Sequence, residues 1–162
     1  MVNARGQSLL TLLVLAAALA LLAAAAVPAG QHMYREAVIE REAETLLANL
    51  RYLQTLDGQY NSHLTEAAWP THPLPYLDMG QDSYILYVQG GRQALLTHRA
   101  PPGVRYQVLR NDSHLELGTE RIQFHPSGRA WEIGLIFRIT YGSQRRNVII
   151  TSDGRCRVAQ DK

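Results

Sequence analysis

The sequence predicts an α+β protein in which a long N-terminal helix, apolar first and amphipathic later, precedes a small antiparallel β-sandwich. Three observations predict this class. Residues 9–29 carry no charge, residues 31–57 contain neither Gly nor Pro, and beyond Gly80 the apolar residues recur with a period of two between frequent turn sequences. Together they place one continuous helix before a set of short strands.

The overall composition excludes several classes of protein. With 162 residues, 46% hydrophobic and 19% charged, the chain is neither disordered nor collagen-like. The single cysteine, Cys156, excludes an intrachain disulfide and a cysteine zinc cluster. The formal net charge of +2 is too small to indicate a nucleic-acid partner by itself.

The apolar run Leu9–Ala29 is 21 residues long and holds nine alanines. A helix of that length spans about 31 Å, close to the roughly 30 Å hydrocarbon thickness of a bilayer. We therefore expect a single transmembrane helix, with small side chains that permit close helix packing. The alternative is a cleaved secretory signal with Val27-Pro28-Ala29 as its cleavage site, which would leave a secreted or periplasmic β-domain binding protein.

The helix is expected to continue beyond the apolar run because residues 31–57 are rich in Glu, Ala, Leu, Arg and Gln. Apolar residues recur there at steps of three and four, which predicts one buried stripe: Ala43, Leu46, Leu47, Leu50, Leu53 and Leu56. Asp57-Gly58 is expected to end the helix, and Pro28 to kink it near the membrane surface.

Residues 58–80 are predicted to form a linking loop because three prolines interrupt any regular pattern, with a short helix near Leu64–Trp69 as an alternative. Residues 81–162 are predicted to form the antiparallel β domain. Its candidate strands are Ser83–Gln89, Gln93–Arg99, Val104–Leu109, His114–Leu117, Arg121–His125, Trp131–Thr140, Arg145–Ser152 and Arg155–Ala159.

The sequence contains no recognisable catalytic or metal-binding constellation. Its six histidines are scattered without metal-ligand spacing, and no nucleophile-elbow, phosphate-loop or dinucleotide-binding motif is present. Asp112-Ser113-His114 has catalytic residue types, but neighbours in sequence do not make a triad. We expect a protein that is not an enzyme and uses neither a metal nor another cofactor.

Charge is distributed unevenly along the chain. Residues 31–97 hold four arginines against eight acidic residues, whereas residues 121–162 hold seven arginines and Lys162 against three. The sharpest candidate for a ligand surface is the basic cluster of the last two strands, a candidate DNA-binding site: Arg145, Arg146, Arg155, Arg157 and Lys162. The alternative is a solvated edge whose charges prevent strand-to-strand aggregation.

Several of these segments together resemble one family. Gly6 separates a short polar leader from the apolar run, and Pro28 follows 22 residues later. Residues 122–129, IQFHPSGR, resemble an F-x-x-x-G hairpin, and residues 148–157, VIITSDGRCR, resemble a closing hairpin with a G-R-x-R ending. This layout resembles type IV pilin-like proteins, specifically the minor pseudopilins of the GspH/FimT/ComGD type.

The resemblance implies a leader at residues 1–6, cut between Gly6 and Gln7 by prepilin peptidase, and a pilin-like helix at residues 7–57. The family usually has Phe where Gln7 stands and Glu where Thr11 stands. Loss of that membrane-embedded Glu favours a minor, initiating or tip position over a repetitive shaft subunit.

The resemblance also implies a location and partners. It implies anchoring in the cytoplasmic membrane with the β domain outside the cytoplasm. The implied partners are other pilin or pseudopilin subunits, the inner-membrane assembly platform of a type II secretion, type IV pilus or competence machine and, in the FimT branch, DNA. We therefore expect a filament subunit that assembles by packing of its N-terminal helix.

Overall fold

The computed structural model describes residues 4–61, 74–88, 93–110, 112–113, 116–117, 120–125, 129 and 134–159. One helix is followed by nine described strands: α1 (Ala4–Asn61), β1 (Tyr76–Met79), β2 (Ser83–Val88), β3 (Gln93–Arg99), β4 (Val104–Arg110), β5 (Glu116–Leu117), β6 (Glu120–Ile122), β7 (Leu135–Tyr141), β8 (Gln144–Ile150) and β9 (Cys156–Ala159). The predicted α+β class, a long apolar N-terminal helix before antiparallel sheets, is confirmed.

The strands form two antiparallel sheets. The first has the order β3-β2-β1-β6 and the second the order β5-β4-β7-β8-β9. The first sheet has a register shift between Leu86 and Tyr87, where β2 pairs with β3. The second sheet has a long, regular centre in which β7 pairs with β4 on one side and β8 on the other over seven residue pairs each.

The chain divides into two compact units, Met1–Ala37 and Val38–Lys162. In the first unit every side chain from Leu9 to Tyr34 is exposed. The helix is long and apolar enough there to cross a membrane, a property that a signal sequence shares. Pro28 lies inside the helix, and the kink expected at it stays a prediction.

The second unit has its own hydrophobic core. The predicted helical stripe is confirmed, since Ala43, Leu46, Leu50 and Leu53 are completely buried. They pack with inward-facing residues of both sheets: Leu77, Met79, Tyr84, Leu86, Val88, Val104, Tyr106, Val108, Ile122, Phe137, Ile139, Val148 and Ile150. The second half of the helix and the inward faces of both sheets form one core, so only one face of each sheet has to be apolar.

The end of the helix and the position of the first strand differ most from the prediction, and β2, β4, β6, β7, β8 and β9 also have an end that differs from the predicted limit. The helix continues to Asn61 instead of ending at Asp57-Gly58, and Gly58 is not among the described glycines with positive φ. Leu56 and Asp57 are both buried, so tertiary packing sustains the last helical turns against the local stop signal.

The first strand lies where the sequence predicts a loop. β1 falls inside residues 58–80, and its ladders with β2 and β6 place it at the centre of the first sheet. The prolines before β1 led to the prediction of a loop, whereas pairing with distant segments of the chain stabilises a strand there. The β domain therefore begins before residue 81, whereas the short helix considered near Leu64–Trp69 lies outside the described residues.

Candidate functional site

A cleft of about 740 Å³ lies between the second half of α1 and the turn that joins β8 to β9. Arg51 and Gln54 line it from the helix, and the segment from Thr151 to Arg157 lines it from the turn. Here the structure brings together two residues of the predicted basic cluster, Arg155 and Arg157, with an arginine from the helix.

The turn that forms one wall is held by its own hydrogen bonds. The Thr151 N–H donates to the Arg155 carbonyl at 3.0 Å, and the Gly154 N–H donates to the Thr151 carbonyl at 2.8 Å. Gly154 has φ of 84°, a left-handed conformation that glycine adopts without steric cost. The Thr151 hydroxyl donates to the Asp153 carboxylate, which lowers the pKa of Asp153 more than any other contact.

The helix is tied to the same turn by two side chains. Arg51 Nη2 donates to the Cys156 carbonyl at 3.4 Å, and Gln54 Nε2 donates to the Gly154 carbonyl at 3.2 Å. These two hydrogen bonds join the helix to Gly154 in the turn and to Cys156, the first residue of β9. The contacts also fix the Arg51 guanidinium at the rim of the cleft.

The cleft carries a net positive charge. Three arginines line it, and the one carboxylate in its lining, Asp153, accepts from Arg155 Nε at 2.9 Å. The side chain of Arg155 is 86% exposed, so water screens this pair and the guanidinium stays accessible. Such a surface can bind phosphate or carboxylate groups through charge-assisted hydrogen bonds.

Cys156 contributes structure to the cleft and not reactivity. Burial raises the pKa of its thiol to about 11, and nearby Arg51 only partly opposes that effect. The thiol is therefore protonated at neutral pH and lacks the thiolate that nucleophilic or redox chemistry requires. It packs against the hydrophobic core, as its alternation with Arg155 and Arg157 predicts.

The predicted basic cluster does not hold together as one surface. Arg146 faces the helix, where its Nε donates to Glu40 Oε2 at 2.7 Å and its side chain is only 14% exposed. Arg145 lies on the opposite face of β8, because successive residues of a strand point to opposite sides. Arg146 is therefore paired with the half-exposed Glu40 of the helix and leaves the candidate ligand surface, while Lys162 lies outside the described residues.

The processing residues are placed only by their backbone. Gly6 and Gln7 lie within the first turns of α1, which begins at Ala4. The helix therefore runs without a break across the predicted cleavage point. Processing between these two residues stays a prediction.

The sequence analysis did not include two arginines, Arg105 and Arg138, that lie on the same face of the second sheet as Arg145. Thr140 of β7 pairs with Arg105 of β4 on one side and with Arg145 of β8 on the other, so the three residues share one face of the sheet. Arg138 lies two residues before Thr140 in β7, on that same face, and pairs with Asn147. The helical pattern marks Arg51 only as a polar residue outside the apolar stripe. The alternation of residues 104–108 is the one sequence signal that separates Arg105 from its inward-facing neighbours.

A second polar cluster lies inside the core of the second unit. Glu42, only 6% exposed, accepts at Oε2 from the Tyr106 hydroxyl at 2.6 Å, and the same oxygen lies 2.8 Å from His98 Nε2. The His98 ring stacks on Tyr84 with centroids 4.8 Å apart, and Asn49 donates to the Tyr84 hydroxyl at 2.7 Å. One carboxyl group thus links the helix to a strand of each sheet.

Burial sets the electrostatics of this second cluster. It raises the pKa of Tyr84 to about 12, opposed by the Asn49 hydrogen bond and assisted by Glu42. It raises the pKa of Tyr106 further, because the Glu42 carboxyl group also accepts a hydrogen bond from the Tyr106 hydroxyl and would repel the tyrosinate anion. Both hydroxyls therefore stay protonated throughout the physiological range, and the Tyr106 hydroxyl remains a hydrogen-bond donor to Glu42.

Within the described ranges, no three His, Cys, Asp or Glu side chains are grouped so as to hold a metal ion. No family model, curated protein or solved structure matches the chain. The function is therefore inferred from the physical properties of the helix and of the arginine-lined cleft.

Proposed function

We propose that the protein is a membrane-anchored minor subunit of a type IV pilin-like filament, such as the pseudopilus of a type II secretion or competence machine. The observation that carries this proposal is the division of one continuous helix. The apolar stripe of its second half is buried against the protein's own sheets. Its first half exposes apolar side chains from Leu9 to Val27, which need an apolar environment that this chain does not supply.

A bilayer first, and the packed helices of neighbouring subunits later, would supply that environment. A helix satisfies its own backbone hydrogen bonds and so is stable in both settings. The nine alanines of the apolar run favour close approach of helix backbones, on which association inside a membrane depends. The second unit would then be the part displayed outside the cytoplasm.

Intact mass spectrometry of the protein purified from both the membrane fraction and the soluble fraction tests this proposal. Cleavage after Gly6 leaves the apolar helix in the mature chain, whereas cleavage after Ala29 removes it. Gly6→Val should abolish the first event, and the matched control Ala29→Val should leave the cleavage position unchanged. A mature chain that begins at Gly30 and is restored to full length by Ala29→Val would overturn the proposal in favour of a secreted or periplasmic binding domain.

A second function, DNA binding, is favoured by one specific observation. Arg51, Arg155 and Arg157 line one cleft whose single carboxylate, that of Asp153, is already engaged. Guanidinium groups bind phosphates in this manner without reading sequence, and the binding weakens steeply with salt. We assign this function to the cleft and not to the whole basic cluster, since Arg146 is committed to Glu40.

A gel-shift salt series with the full chain in detergent micelles tests DNA binding. Replacing Arg155 and Arg157 with Ala should weaken retention and lower the slope of log K against log salt by about 2. The matched control removes two arginines elsewhere, Arg41 and Arg121, and should change both quantities less. Equal losses in the two double variants would show that only net charge matters and that the cleft is no specific site.

A further inference from the structure

A second cleft, of about 640 Å³, lies where the chain crosses from the first sheet to the second. Its walls are the segment from Arg99 to Arg105, which links β3 to β4, and the turn residues Gln81 and Asp82, which link β1 to β2. We call this the crossover cleft. It is distinct from the arginine-lined cleft at the β8–β9 turn, and the two share no lining residue.

Backbone hydrogen bonds preorganise the crossover cleft. The Ala100 N–H donates to the Asp82 carbonyl and the Tyr106 N–H to the Gln81 carbonyl, both at 2.8 Å. The linking segment is closed by the Val104 N–H, which donates to the Pro101 carbonyl at 3.0 Å. Both walls are thereby held in place before any ligand arrives, which reduces the entropy that binding costs.

The turn of the linking segment requires glycine at position 103. Its φ is +90°, and a Cβ atom there would lie 2.8 Å from Cε2 of Tyr141. The neighbouring Pro101 and Pro102 have no N–H and a fixed φ, so they supply an apolar and rigid surface. The floor of the crossover cleft is consequently stiff, close to a β-strand and partly apolar.

Charge decides which ligand fits. Two guanidinium groups line the crossover cleft, those of Arg99 and Arg105, and one carboxylate, that of Asp82. Gln81 Oε1 accepts from Arg105 Nη1 at 3.4 Å, and Asp82 Oδ1 accepts from the Ser83 hydroxyl at 3.2 Å. The net charge of the lining is +1, which complements a monoanion better than a doubly charged phosphate.

We propose that the crossover cleft binds one carboxylate of an acidic peptide segment in a partner protein, with an apolar neighbour of that carboxylate lying on Pro101 and Pro102. The planar carboxylate matches the guanidinium fork, whose two N–H groups can donate in parallel. The apolar neighbour gains from burial against the proline rings. The proposal goes beyond filament assembly and does not depend on it.

The test uses the full chain in detergent micelles and a blocked tripeptide, N-acetyl-Leu-Glu-Leu-amide, followed by amide NMR shifts. The shifts of Ala100 and Gly103 should move and saturate, and the Gln analogue of the peptide should bind at least tenfold more weakly. The double variant Arg99→Gln with Arg105→Gln should lose at least tenfold in affinity. Both side chains are exposed, so we expect the variant to remain folded, which its amide spectrum checks directly.

The matched control is Arg41→Gln with Arg121→Gln, which removes the same charge at exposed positions outside both clefts and should leave the affinity unchanged. Equal binding of the Glu and Gln peptides would overturn the proposal, because no carboxylate would then be recognised. So would equal losses in the two double variants. Tighter binding of inorganic phosphate, with displacement of the peptide, would overturn it in favour of a phosphate site.

Discussion

The two halves of helix α1 have the same secondary structure but different surroundings. From Leu9 to Tyr34 every side chain is exposed, although most are apolar, whereas from Ile39 to Leu56 one face is buried and the other is polar. A helix that is apolar on all sides needs an apolar medium, and a helix with one apolar stripe needs only a sheet. The distribution of apolar residues around the helix, more than their number, therefore distinguishes the half that could cross a membrane from the half that packs against the sheets.

Removing the first half of the helix should give the largest effect, an all-or-none change in location. A chain that starts at Gly30 should leave the membrane fraction completely and still fold, because the core of the second unit begins only at Ile39. Membrane fractionation with circular dichroism of the soluble product measures both outcomes. A truncated chain that stays in the membrane fraction after a high-salt wash would contradict the proposal that the first half of the helix is the membrane anchor.

Asp57 should make the second unit less stable as the pH rises. Burial raises its pKa from 3.8 to about 7, while the hydrogen bond from the Phe124 N–H partly lowers it. Between about pH 4 and pH 7 the unfolded chain releases this proton and the folded chain keeps it, so the free energy of unfolding falls. At 1.36 kcal/mol per pH unit the loss reaches about 4 kcal/mol and then levels off.

Asp57→Asn should remove that pH dependence, because the amide oxygen can still accept from the Phe124 N–H and carries no proton to lose. Urea unfolding of both proteins at pH 4, 5.5, 7 and 8 measures the effect. The variant should gain stability relative to the natural protein as the pH rises. Parallel curves at all four pH values would show that Asp57 titrates normally.

The same substitution, Leu to Ala, should lower the free energy of unfolding of the second unit in one half of the helix and not in the other. Leu50→Ala empties a completely buried site and should lower the free energy of unfolding by about 3 kcal/mol. Leu15→Ala, at a position that is 59% exposed, should leave the unfolding of the second unit unchanged. Urea unfolding in detergent micelles compares them, and equal losses would refute the separation of roles.

Removing the Tyr106 hydroxyl should cost less than a core cavity. Tyr106→Phe takes a hydrogen-bond donor from buried Glu42 and should destabilise the second unit by about 2 kcal/mol. Tyr52→Phe, at an exposed position of α1, is the matched control and should change little. If both variants unfold at the same urea concentration, the link between helix and sheets through Glu42 contributes no stability.

The smallest expected effect concerns neighbouring arginines on β8. Arg146→Ala breaks the ion pair with half-exposed Glu40 and should cost below about 1 kcal/mol, more at low salt than at high salt. Arg145→Ala should cost less, because Arg145 is exposed on the opposite face of the strand. Urea unfolding at two salt concentrations measures both, and the reverse order would contradict the assignment of faces.

Much of the fold could be predicted because it depends on local patterns. The stripe from Ala43 to Leu56 repeats with the helical period. β3 agrees with its predicted limits, Gln93–Arg99, since Gly90-Gly91 and Pro101-Pro102-Gly103 mark turns near its two ends. β1 could not be predicted because four residues after two prolines give little periodicity. Its stability comes from ladders to β2 and β6, which are formed by other segments of the chain.

The candidate site was predicted only in part, for the same reason. Arg155 and Arg157 could be predicted as neighbours on either side of Cys156, but Arg51 reaches them only when the helix packs beside the turn. The network around Glu42 gave no advance signal, since its members come from one helix and three strands. Helical or strand periodicity indicates which face is apolar and does not indicate which polar residues meet.

The sequence by itself determined the long helix, its apolar first half, the stripe of its second half and the antiparallel character of the strands after it. These features depend on hydrogen bonds and side-chain spacing within a few residues of one another. Tertiary structure alone decided that the helix continues past Gly58, that Arg146 pairs with Glu40, and that five arginines line two separate clefts. Those outcomes depend on contacts between residues far apart in the chain, whose energies no local pattern encodes.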